Sequence, residues 1–128
     1  YDPDEVIWFH TEDRDIKPCN AIKQIIEANK RIDAIACYND EIAFKVFEML
    51  ESMGIKVPEN ISITGFDDSY FSNNCPVKIT TVTHPKESLG EMAAEILLQL
   101  IKVDDYLGNP VQKVIVPELV IKDSCIKR

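Results

Sequence analysis

Apolar residues along the chain fall alternately into short runs and helical stripes, which predicts strand and helix in turn. Val6-Ile7-Trp8-Phe9 is a short apolar run closed by polar His10-Thr11-Glu12-Asp13, the pattern of a strand. From about Ile16 or Pro18 to Ala28, Ile22, Ile25 and Ile26 share a helical face, with Lys30 and Arg31 at the negative end. Ala34 to Cys37 is too short for a helix and reads as a core strand ending at Asn39-Asp40. Asp40 is suited to cap the next helix, whose apolar positions are Ile42, Ala43, Val46, Met49, Leu50 and Met53. Gly54 stands where a left-handed C-terminal cap is wanted, and Pro58 blocks a restart. Ile61 to Thr64 is the next strand, and Gly65 opens the turn to Asp67-Asp68. Ser69 to Pro76 is a loop or short helix, and Ile79 to Val82 a strand ended by His84-Pro85. Lys86 to Lys102 is a helix whose Leu89, Met92, Ala93, Ile96, Leu97, Leu100 and Ile101 hold one face. Such a face should not stand alone in water. Asp104 to Pro110 is a linker, and Val114–Val116 and Leu119–Ile121 are short strands separated by Pro117.

Strand, helix, strand between Ala34 and Thr64 makes a right-handed βαβ unit with parallel strands. Parallel strands deliver their carboxyl ends to one edge of a sheet, where ligands of open α/β sheets bind. Asn39 and Asp67 each follow one of these strands and should arrive at that edge. An amide that donates and accepts, beside a carboxylate that accepts strongly, suits sugar hydroxyls. Local pattern alone favours a plainer role, in which Asp40 caps a helix and Asn39 and Asp67 cap turns. Asp68 reads as a structural cap for the segment after it.

Net charge narrows the partners. At −8 over 128 residues, the chain is poorly suited to touch phosphate backbones. Its apolar content supports one domain with a core, and no run is long enough to cross a membrane. The four cysteines are far apart in sequence and form no C-x-x-C, so reduced thiols are expected rather than a disulfide frame or zinc site. The motifs of acyl and phosphoryl chemistry are missing, and there are two histidines, so no catalytic residue and no cofactor is expected. Glu12, Asp13 and Asp15 lack the glycine and terminal glutamate of a calcium loop and read as a solvated turn, not a metal site.

Several linked motifs occur in one order: Asn39-Asp40-Glu41-x-Ala43, Gly54-Ile55-x-Val57-Pro58-Glu59-Asn60-Ile61-Ser62-Ile63, Gly65-Phe66-Asp67-Asp68, and Thr80-Thr81-Val82 with Gly90-x-x-Ala93. With them the chain resembles, from about Val6 to Ser124, the effector domain of the lactose/galactose repressor family. The resemblance implies an α/β fold, a three-layer doubly wound and mostly parallel sheet, forming the C-terminal lobe of the periplasmic-binding-protein type I fold. It places residues 1–128 in that lobe, with helix 86–102 packing in the family on an N-terminal lobe. The start without Met suggests a piece of a longer protein, beginning after the first strand and helix of its lobe.

In that family the Asn of the first motif and the first Asp of Gly-Phe-Asp-Asp contact the effector sugar, positions held here by Asn39 and Asp67. An aromatic near the end of the strand matching Val6–Phe9 also serves, and the alignment puts His10 there, with Trp8 and Phe9 as rivals. His84 follows the strand at which the chain crosses between lobes and could reach the cleft, or be an ordinary loop residue. The runs Cys37–Asp40 and Thr83–Glu87 look most like arabinose repressors, which suggests L-arabinose as effector. The resemblance further implies a cytoplasmic homodimer that meets operator DNA only through a head domain outside this chain. A second stripe on the helix after Asn39, Phe44 and Phe47 rimmed by Glu48 and Glu51, fits the dimer interface, and Tyr70 and Phe71 extend it. Alternatively Phe44 or Phe47 tucks under the adjacent helix. Two other classes compete: a phosphoacceptor receiver domain, whose acid pair belongs after the first strand, and an interaction domain without ligand.

Overall fold

The computed structural model describes residues 17–28, 32–102 and 111–127. The expected strand Val6–Phe9, His10 with its rivals, the basic pair Lys30-Arg31 and the linker 104–110 lie outside them. The chain divides into two compact units, one of Tyr1–Thr83 with Leu119–Arg128 and one of His84–Glu118.

The first unit is built on a parallel pair. Helix α1 (Lys17–Glu27) precedes strand β1 (Ala34–Ala36), helix α2 (Asp40–Ser52) and strand β2 (Ser62–Thr64). β1 and β2 are parallel, with Ala34 opposite Ser62 and Ala36 opposite Thr64. Parallel neighbours need a crossover, and α2 supplies it. Helix α3 (Tyr70–Asn74) and strand β3 (Thr81–Val82) follow. Bridges Thr64–Thr80 and Asp67–Thr83 carry the parallel run from β2 toward β3. Strand β4 (Leu119–Val120) closes the order antiparallel to β3. Among the described residues the strands thus form a parallel pair, β1-β2, and an antiparallel pair, β3-β4, related by parallel bridges, in an α/β arrangement.

α2 anchors the core because its apolar residues recur at helical spacing. Ile42, Ala43, Val46, Phe47 and Leu50 are buried and pack with Ile22 of α1, Ile61 and Ile63 around β2, and Ile79. Burying each large side chain is worth about 1.5–3 kcal/mol. The helix ends in a Schellman motif: Gly54 N–H donates to Glu51 O at 2.9 Å and Ile55 N–H to Leu50 O at 3.0 Å. Gly54 takes φ 74°, the left-handed conformation expected of it.

Three expectations need correction. Phe47, assigned to an outer face, is 2% exposed and belongs to the core. The apolar arc of α2 is broad enough to carry it inward, while Met49 and Met53 sit at its half-buried margin. β1 is not a fully buried strand, since Ala34 and Ala36 are exposed. Val114–Val116 forms no strand and both valines are exposed; the pattern is apolar, but Pro117 follows and strand pairing resumes only at Leu119.

In the second unit, helix α4 (Lys86–Ile101) spans the expected stripe. None of its residues is buried, and Met92, Ile96 and Leu100 are half-buried. Leu89, Met92 and Ile96 face Val111 and Ile115 across a groove of about 270 Å³.

Candidate functional site

Asn39 and Asp67 follow β1 and β2, and the hydrogen-bonding of the chain brings the two strand ends together. Cys37 N–H donates to Thr64 O at 2.8 Å, and Asp40 N–H to Phe66 O at 3.0 Å. Asn39 and Asp67 therefore flank the second of these bonds. Asn39 is the helix cap in place of Asp40: its backbone is extended, and its Oδ1 accepts the Ile42 N–H at 3.0 Å. That bond uses Oδ1, so capping and contact with a ligand through the Nδ2 amide are compatible roles.

Asp67 and Asp68 adopt φ 96° and 43°. Few non-glycine residues hold such angles, and they do so where surroundings enforce them. Asp67 N–H donates to Val82 O at 2.9 Å, which ties the turn to β3. Asp68 faces the opposite end of the chain, where its Oδ1 receives Lys122 Nζ at 2.7 Å, and Ser72 Oγ lies 3.4 Å away. The hydrogen bond from Lys122 leads in holding the Asp68 carboxyl below its usual range, against a smaller opposing effect of burial.

Asp40 has a role that the sequence pattern does not disclose. Its side chain is fully buried and leaves its own helix. Oδ1 accepts the Thr81 hydroxyl at 2.6 Å, and Oδ2 accepts the Ser69 N–H at 2.6 Å. Thr81 Oγ1 also accepts the Asp68 N–H at 3.3 Å. Gly65 opens the turn as expected and also admits Asp40, whose Oδ1 lies where a Cβ would stand. The sequence signal for it is Gly65 itself, a residue without a Cβ placed just before Phe66-Asp67-Asp68. Ser124 is a second buried polar residue without a sequence signal. It donates through Oγ to Ile63 O and accepts the Thr80 N–H at 2.8 Å, pinning β2 and β3 to the C-terminal segment.

His84 is exposed and belongs to the His84–Glu118 unit; its carbonyl accepts the Lys86 N–H at 2.7 Å. On the first unit, Phe44 is half-buried against Phe71, with ring centroids 5.9 Å apart, and Phe71 meets Tyr70 at 6.1 Å. Tyr70 is 74% exposed, and Glu48 and Glu51 are exposed on α2. Phe47 is separated from this aromatic chain by its burial in the core.

All four cysteines are free. Burial is the leading cause that pushes the Cys37 thiol to about 12 and the Cys75 thiol to about 11. Among the described residues no group of His, Cys, Asp or Glu is gathered in a way that could hold a metal ion. No described helix is long and apolar enough to cross a membrane.

Residues 3–125 match the family model of the periplasmic binding protein-like domain. The arabinose metabolism transcriptional repressor of Geobacillus stearothermophilus is 38% identical over 123 residues, 93% of this chain and 33% of that protein. The chain thus spans about a third of the length of this curated relative. A structure from Sanguibacter keddieii, assigned to the LacI family of regulators, superposes with TM-score 0.82 at 26% identity, covering 97% of this chain and 45% of its own. A LacI family transcriptional regulator from Lactobacillus casei with bound sucrose gives TM-score 0.70 at 28% identity, covering 91% of this chain and 41% of its own. With a family model matched over nearly its whole length, the chain belongs to the periplasmic binding protein-like domain family, among the effector domains of the lactose/galactose repressor type.

Proposed function

We propose that this chain is the effector-sensing lobe of a bacterial transcriptional repressor and contributes Asn39 and Asp67 to a sugar site. The observation that supports the reading is the pairing of two parallel strand ends, joined by the Asp40–Phe66 hydrogen bond, with Asn39 and Asp67 the residues on either side of that bond. Relatives supply the class: one represses arabinose metabolism and another was solved with sucrose. L-arabinose is the first effector to test. In this reading the protein is no enzyme, works in the cytoplasm as a homodimer, and meets its operator through a separate head. Effector binding shifts the protein toward a state with lower operator affinity. The aromatic chain Phe44–Phe71–Tyr70, rimmed by Glu48 and Glu51, is the proposed dimer face.

Calorimetric titration of the complete regulator with L-arabinose, D-xylose and D-galactose tests the reading. One sugar should bind, and Asn39→Ala and Asp67→Ala should each weaken it by about ten- to a hundredfold, the equivalent of ~1–3 kcal/mol for a lost buried partner. Unchanged affinity in both variants would leave them as caps of turns and helix.

A further inference from the structure

We infer that Asp40 is a positioning residue for the effector site, bracing through Thr81 the two strand ends that carry Asn39 and Asp67. The inference rests on the proposed sugar site. A carboxylate at the start of a helix ordinarily serves that helix, yet here the cap is already supplied by Asn39 Oδ1 on the Ile42 N–H. The Asp40 side chain is spent on other segments: Thr81 Oγ1 and the Ser69 N–H both donate to it at 2.6 Å. Its own N–H donates to Phe66 O, and Thr81 Oγ1 takes the Asp68 N–H. The turn from Gly65 to Ser69 is thereby held from both ends around Asp67 and Asp68, whose positive φ values need such support. Asp40 and Thr81 expose no surface, so neither can touch a sugar. Whatever they do for binding is done through the backbone of Asn39 and Asp67. Burying a carboxylate is unfavourable unless it is fully partnered, and fixing one register is a use that such groups serve.

Sugar titration of the complete regulator, using L-arabinose, D-xylose and D-galactose as probes, tests this with four variants. Thr81→Val removes the hydroxyl with little change of shape, Thr81→Ser keeps it, Asp40→Asn replaces one acceptor, and Ile79→Val is a core control. Thr81→Val and Asp40→Asn should raise Kd about tenfold, which corresponds to about 1.4 kcal/mol. Thr81→Ser should return to within about threefold of wild type, and Ile79→Val should bind as wild type despite its lower stability. If Asp40→Asn fails to fold, the threonine pair carries the test. Wild-type binding by Thr81→Val, with binding lost in Asn39→Ala, overturns the brace and leaves the sugar site standing. If no probe binds wild type, or Asn39→Ala and Asp67→Ala bind normally, the sugar-site reading falls and this role with it. Hydrogen exchange reads the brace independently of ligand. Thr81→Val should speed exchange of the Asp68 and Ser69 amides about tenfold while the Ile63 amide keeps its protection, and equal rates there overturn the brace.

Discussion

Gly65→Ala should destabilise the first unit by about 2–4 kcal/mol, through a single collision. A Cβ on Gly65 would overlap Asp40 Oδ1 and stand 3.1 Å from Asp40 Cα and 3.2 Å from its Cγ. Rotating the carboxylate clears the oxygen but not the backbone, so the start of α2 must shift. That shift weakens two hydrogen bonds of 2.6 Å, from Thr81 and Ser69. Bonds to a charged acceptor are worth about 1.5–3 kcal/mol each. Loss of chain entropy in the unfolded state offsets only about 0.4–1 kcal/mol of this. Two other glycines calibrate the result. Gly54 has nothing within 4 Å of its added Cβ but holds φ 74°, so Gly54→Ala should lose about 1 kcal/mol to backbone strain. Gly90 lies inside α4 with open space around it, so Gly90→Ala should gain about 0.5–1 kcal/mol. Urea melts of this chain followed by circular dichroism measure the order. With slopes of about 1–3 kcal/mol/M, Gly65→Ala should lower its midpoint by roughly 1–2 M. A Gly65→Ala midpoint at or above wild type, with unchanged slope, would show that Asp40 is not packed against Gly65.

Phe47→Ala should cost about 3–5 kcal/mol, against about 1 kcal/mol for half-buried Phe44→Ala, and the same melts compare them. Phe44→Glu with Phe71→Glu should shift the complete regulator from dimer to monomer in sedimentation without a large loss of stability, and a dimer that persists would remove this face from the assembly. Asp68 is depressed by Lys122, so its folded carboxyl releases its proton at lower pH than the unfolded reference of about 3.9. The stability it contributes is present above that reference and lost as pH falls through the folded value. With the Asp68 side chain 32% exposed the effect is small, and Lys122→Met should flatten that part of an acid titration of stability. Thiol labelling at pH 8 should be slow at Cys37 and Cys75, whose thiols sit near 12 and 11, until denaturant exposes them; rapid labelling of both in the native protein would contradict their burial.

Local sequence determined the elements because local physics suffices for them. The spacing of Ile42, Val46 and Leu50 makes α2 amphipathic wherever it is placed, and Gly54 stops it by a backbone preference of its own. The motifs at Asn39 and Gly65–Asp68 likewise place both candidate residues at strand ends, since a parallel βαβ unit has only one edge for them to reach. Tertiary structure decided which partner each polar residue took. Asn39 and Asp40 are neighbours, and either can cap a helix; Asp40 lost that role because Thr81, 41 residues away, offers its hydroxyl. Phe44 and Phe47 look alike in sequence, and a small difference in angle around α2 sends one against Phe71 and the other into the core. Ser124 carries no sequence signal at all, because its value lies in two backbone groups, Ile63 O and Thr80 N–H, that only the folded sheet brings within reach. Valines 114 and 116 alternate as a strand should, but alternation supplies only a face, and a strand also needs a neighbour to receive its hydrogen bonds.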